Sequence, residues 1–130
     1  MKKGVKIIAV LLILALIGSI GFRVWSATIV KSAMALEDTP LDVSNVEDGI
    51  YEGHSELGPV IVDVKVTVEG GKITEADILK HENGLGESAN TIVDKMVEQN
   101  TYDVDIVSGA TVSSEVIMNA VNDALQKGLQ

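Results

Sequence analysis

Residues 104–115 read VDIVSGATVSSE and carry the side chains in this chain best suited to chemistry. Asp105 stands in an apolar run. Ser108, Gly109, Ala110 and Thr111 are all small, and Ser113 and Glu115 follow where a helix should begin. Gly109 can adopt backbone dihedrals that a Cβ disfavours, so the chain can turn sharply there. Its small neighbours leave the Thr111 hydroxyl uncovered. The helix beyond offers unpaired N–H groups at Val112–Ser114 and the positive end of its dipole. A hydroxyl, a tight bend and a helix start together suit a phosphate or a phosphoester. On the residues alone an ordinary strand-to-helix turn with Thr111 or Ser113 as N-cap is the simpler reading. Glu115, a like charge, weighs against a phosphate. Both readings stand open on these residues alone.

Other reactive side chains point to less. Ser108 or Ser113 as a hydrolase nucleophile lacks a base nearby. His54 has no companion at metal-ligand spacing, so no structural metal is expected. His81, beside the glycine-rich HENGLG loop, reads as a surface histidine.

The elements that must position the motif follow from pattern. Asp48–Gly53 reads as a short strand entered by a turn. In Val60–Glu69, Val62, Val64, Val66 and Val68 alternate with Asp63, Lys65, Thr67 and Glu69, a strand with one buried and one wet face. Gly70-Gly71 is a two-residue hairpin signal. The returning strand spans Lys72 to about Lys80, with Ile73, Ala76 and Ile78 inward. A helix over Glu87–Glu98 places Ala89, Ile92, Val93, Met96 and Val97 on one stripe. Val104–Val107 reads as a strand. A last helix over Val112–Lys127 buries Val116, Ile117, Ala120, Val121, Ala124 and Leu125. The fold class is α+β: a small antiparallel sheet with two packed helices, preceded by an N-terminal transmembrane helix.

Charge divides the chain. Residues 1–35 hold five bases and no acid, whereas residues 36–130 hold five bases against nineteen acids, a net charge of −14. So acidic a domain repels nucleic acid, which excludes that partner. An uncharged run begins at Ile7, and residues 7–25 reach about 28 Å as a helix, enough to cross a thin hydrocarbon core. An uncleaved anchor is expected over a signal peptide, although Ala33-Met34-Ala35 resembles a cleavage site. Lys2, Lys3 and Lys6 should stay cytoplasmic and the remainder should face outward. Trp25 fits an interfacial aromatic. The expected division is an anchor over 1–26, a flexible tether over 27–45 and a domain over 46–130. The chain has no cysteine, so no disulfide or lipidated cysteine is available.

The Asp105-x-x-Ser108-Gly109-Ala110-Thr111-x-Ser113 pattern resembles the flavinylation motif of the FMN-binding domain family. That family includes the C subunit of the sodium-pumping NADH:quinone oxidoreductase and the G subunit of the Rnf complex. The resemblance implies that a flavin transferase moves FMN from FAD onto Thr111 as a phosphoester. It implies that Ser108, Gly109 and Ala110 shape the turn and that Asp105 belongs to the signature read by the transferase, with Ser113 closing the motif. Asp48-Gly49-x-Tyr51-x-Gly53 is similar to the family's opening strand, and likeness extends over about residues 46–127. His81-x-Asn83-Gly84-Leu85-Gly86 is similar to the loop that lies against the flavin ring, which implies contacts from Gly84, Leu85 and Gly86. Where the family often has Glu-Thr-Pro-Gly-Leu-Gly, this chain is one residue shorter and lacks the proline.

The function so implied is electron carriage by a membrane-anchored, extracytoplasmic flavoprotein with covalent FMN at Thr111, between a membrane-side donor and an extracytoplasmic acceptor. Such a chain is more a carrier than a stand-alone enzyme. Two other classes stand beside it: a fixed flavin subunit of a membrane redox-driven ion pump, and a non-redox surface or assembly module. Stacking on the ring would fall to Tyr51 or Tyr102, or be absent.

Overall fold

The computed structural model describes residues 2–34, 36, 38–82 and 87–129. Strands β1 (Gly49–Leu57), β2 (Val60–Glu69) and β3 (Lys72–Glu82) form one antiparallel sheet in the order β1-β2-β3. Helix α1 (Lys2–Met34) precedes the sheet; α2 (Ile92–Gln99) packs on β3, and α3 (Thr111–Gln126) packs on β1 and β2. This is the expected α+β architecture.

The valine alternation of β2 does what its period demands. Val62, Val64, Val66 and Val68 have no exposed surface, while Asp63, Lys65 and Thr67 face outward, half-buried. Removing each such side chain from water contributes about 1.5–3 kcal/mol. Gly70 and Gly71 take φ of +60° and +74°, the mirror-image turn whose twist matches a tight hairpin. Ile73, Ala76 and Ile78 pair with Val68, Val66 and Val64. Two register shifts reconcile their uneven spacing with one inward face.

Several boundaries differ from expectation. β1 runs on to Leu57 because its pairing with β2 continues to the turn at Gly58. The helix expected from Glu87 begins as a 3-10 turn over Glu87–Thr91 and becomes α-helical at Ile92. It ends at Asn100, in a left-handed conformation, whose side chain accepts from Ile73 N at 2.8 Å and donates to the Gly71 carbonyl at 3.2 Å. The strand expected at Val104–Val107 does not form. Its Val107 N–H donates to Ser114 Oγ at 3.0 Å and its carbonyl accepts from Ala110 N at 2.9 Å, so the local turn takes the groups a ladder would need.

The described residues on either side of the expected anchor–tether boundary are ordered. α1 continues through Met34, since neither proline nor glycine interrupts residues 22–34. Leu36 and Leu41 then pack against the core. Asn119 Nδ2 donates to Asp38 at 2.8 Å, and the fully buried Asn122 exchanges hydrogen bonds with both backbone groups of Thr39. This segment is strapped to α3. The helix over Lys2–Ser32 is long and apolar enough to cross a membrane.

The seat of α3 is set at Gly53 on β1. A Cβ there would lie 1.9 Å from the Ala120 carbonyl oxygen and 2.7 Å from Ala124 N. Since both obstacles are backbone, Gly53→Ala should destabilise the full chain by about 3 kcal/mol, measured by urea unfolding in detergent micelles. On the wet face, His54 of β1 is bonded to Asp63, its cross-strand partner on β2. That bond, reinforced by the charges of Asp63 and Glu56, raises the imidazole above its ordinary value. The stabilisation is complete below the unfolded value of about 6.5 and is lost as pH rises through the raised folded value. Titration by NMR should show a raised His54 that Asp63→Asn returns to the ordinary range.

Candidate functional site

The motif turns as its small residues permit. Ala110 N–H closes on the Val107 carbonyl, and Gly109 between them has φ +80°. No atom lies within 4 Å of where a Gly109 Cβ would be, so glycine is needed for conformation and not for space. Ala110, buried, occupies the N-cap position and supplies no side-chain bond. Neither Thr111 nor Ser113 is therefore the cap, contrary to the simpler expectation. Thr111 is the first residue of α3 and half-buried. Its hydroxyl makes no hydrogen bond among the described residues. The first intrahelical bond runs from Ser114 N to the Ala110 carbonyl at 2.9 Å. The N–H groups of Thr111, Val112 and Ser113 thus precede any intrahelical acceptor.

Two buried serines hold this helix start in place. Ser114 Oγ takes the Val107 N–H. Ser113 Oγ meets His81 Nε2 at 3.1 Å, and His81 Nδ1 meets Asn90 Oδ1 at 2.8 Å. An amide oxygen only accepts, so Nδ1 carries a proton and, in the neutral ring, Nε2 accepts from Ser113. His81, expected at the surface, is half-buried and ties the end of β3 to the turn before α2 and to α3. Chain pattern could not reveal this, because residues 81, 90 and 113 meet only after folding.

Around Thr111 lies a groove of ≈ 460 Å³, within the range of small-molecule sites, about 300–1,000 Å³. Gly109, Ala110, Thr111, Val112 and Ser113 line one side, with Pro59 and Val60 at the β1–β2 turn. The opposite wall is α1, through Phe22, Trp25, Ser26, Ile29 and Val30. The lining is dominated by apolar side chains. A cleft of ≈ 540 Å³ between residues 40–47 and Leu129 is larger. It contains no part of the motif, and its one hydroxyl, Ser44, is already bonded to Asp42.

Of the expected site residues, the structure brings Gly109, Ala110, Thr111 and Ser113 to the groove. Asp105 and Ser108 are exposed on the approach to the turn and do not line it. Gly84, Leu85 and Gly86 lie outside the described residues. Neither tyrosine reaches the groove: Tyr51 donates to the Glu47 carbonyl at 2.7 Å and presses on Gly128, and Tyr102 packs at the core edge. The aromatic side chains present are Phe22 and Trp25. Their recurrence with Ile29 at helical spacing was the available signal, hidden within the hydrophobic run.

Glu115, one turn beyond Thr111, is a like charge to any phosphate. Its carboxyl is raised, first by burial and then by the charges of Asp38 and Asp103. It therefore takes up a proton more readily than an ordinary carboxyl, which moderates the repulsion.

These features were compared with known proteins. The sequence model of the FMN-binding domain family matches residues 58–126, a little over half of the chain, including β2, β3, α2, the turn and α3. The match begins at Gly58, so the opening-strand likeness at Asp48–Gly53 lies outside it. No curated protein matches the chain.

The turn has a measurable signature. Gly109→Ala forces a Cβ into φ +80° and should cost about 1–2 kcal/mol. Thr111→Ala, removing a hydroxyl with no partner among the described residues, should stay within about 0.5 kcal/mol of the parent. Urea unfolding of the full chain in micelles compares the two.

Proposed function

The chain belongs to the FMN-binding domain family, and from that premise we propose that it is a membrane-anchored electron carrier whose FMN is joined by a phosphoester to Thr111. The observation that carries this reading is a half-buried hydroxyl, with no hydrogen-bond partner among the described residues, at the wall of an apolar groove. A flavin phosphate fits that setting. The Thr111 hydroxyl is available, the helix-start N–H groups face the charge of a phosphoester, and the groove offers apolar walls to a ring system.

Attachment balances simply. Thr111 Oγ1 gives up its proton and bonds to the flavin-side phosphorus of FAD; the pyrophosphate bond breaks and AMP leaves. Thr111 needs a flavin transferase for this, because no base is bonded to its hydroxyl among the described residues. Asp105 and Ser108, exposed on the approach, suit recognition by that enzyme. Once bound, FMN supplies reversible one- and two-electron chemistry. The chain's own residues bind and orient it. Backbone N–H groups of Thr111–Ser113 stabilise the phosphoester, and the apolar walls limit water.

The N-terminal helix supplies the anchor. Lys2, Lys3 and Lys6 favour a cytoplasmic start and an extracytoplasmic domain, where covalent attachment keeps FMN from diffusing away. Electrons would come from a donor at the membrane and pass to an extracytoplasmic acceptor. The strapped segment after α1 favours a domain held at the membrane surface over one swinging on a long coil.

Intact mass and in-gel fluorescence of the full chain, co-expressed with a flavin transferase, test the assignment. The wild type should gain the FMN-phosphoryl mass and a fluorescent band, and Thr111→Ala should lose both completely while remaining folded. An unmodified wild-type chain beside an active transferase would overturn the covalent assignment.

A further inference from the structure

The groove beside Thr111 is built from two parts of the chain with different environments. One wall belongs to the domain and the other to the membrane helix. α1 is seated on the domain: Ile29 Cδ1 lies 3.8 Å from the position of a Gly58 Cβ, and Ser26 and Ile29 are half-buried on a helix otherwise exposed along its apolar run. One turn toward the membrane on the same face, Phe22 and Trp25 put their rings 6.1 Å apart at a 39° tilt. Trp25 remains 53 % exposed, and Phe22 65 %. These two rings are the aromatic surface in the groove, and neither is consumed by the core.

An exposed, tilted aromatic pair facing an apolar groove can satisfy two kinds of ligand, a flat conjugated ring or a lipid chain. The position of Thr111 in the same lining decides between them. A flavin attached there is confined to this groove by its own linkage, so its ring meets the aromatic pair without a separate binding step. Aromatic rings gain from offset or tilted contact beyond the burial of their surface.

Resting on the covalent-flavin reading above, we propose that Trp25 is a flavin-positioning residue, its indole forming with Phe22 the wall against which the isoalloxazine ring of Thr111-linked FMN packs. The membrane helix is then part of the cofactor site as well as an anchor. Trp25 lies at the end of the apolar run, so the ring is held at the boundary between bilayer and water. The edge it leaves open faces partners that approach along the membrane.

The test uses the full-length, flavinylated chain in lipid nanodiscs, with flavin stoichiometry fixed by intact mass. Trp25 is the chain's single tryptophan, and an indole stacked on a flavin quenches its emission by electron donation. The wild type should show short-lived flavin fluorescence. Trp25→Leu should lengthen the lifetime and raise the yield several-fold at equal flavin content. Trp25→Phe, which keeps a ring but not the quencher, should raise the yield while retaining the restricted flavin anisotropy that Trp25→Leu loses. Equal stoichiometry with an unchanged lifetime in Trp25→Leu would overturn this proposal alone and leave the groove to an acyl chain. A wild-type chain without the FMN-phosphoryl mass would overturn the underlying reading and this one with it.

Discussion

The close approach of α3 to β1 at Gly53 governs the geometry of this domain. A helix carrying Ala120 and Ala124 on its inner face can lie against the strand only where the strand has no side chain. That contact fixes the depth of α3, and so decides where its first residue stands relative to the turn at Pro59 and Val60. Thr111 reaches the groove because the far end of its helix is seated on bare backbone. Chemistry at one end of α3 thus depends on packing more than two turns away.

Polar groups inside the domain complete the placement. Ser55, Ser113, Ser114 and Asn122 are buried, and each has a hydrogen-bond partner. Three of them lie on α3 itself, and Ser55 bonds to Asn119 of that helix. A buried hydroxyl or amide left unpaired costs about 1–3 kcal/mol, so these bonds resist rotation or sliding of α3. His81 extends the same network to the end of β3. Attention to helix caps alone would miss it, since the cap position is an alanine and the fixing groups stand further along.

The connection to the membrane helix changes what such a domain can do. A coil of about twenty residues would have a reach of roughly 25 Å and would allow shuttling between distant partners. The chain instead continues the helix past the apolar run and pins Asp38 and Thr39 to α3. The apolar helix and the domain share a groove, which makes the position of that groove relative to the helix a structural property.

Much of this was legible from residue pattern. The β2 valines, the Gly70-Gly71 turn, both amphipathic helices and the apolar N-terminus announced themselves, because each depends on local periodicity or on a conformation that few residues adopt. The Ser108–Thr111 turn was legible for the same reason: hydroxyl, small residues and helix start are contiguous. Three things were not. Val104–Val107 has strand composition, yet the backbone groups of Val107 go to Ser114 and Ala110. Residues 27–34 lack a sustained period, yet remain helical because neither proline nor glycine interrupts them. The aromatic wall of the groove comes from Phe22 and Trp25, more than eighty residues before Thr111. Short-range order follows from side-chain spacing, whereas which distant surfaces meet depends on the depth at which α3 packs, and no spacing along the chain encodes that distance.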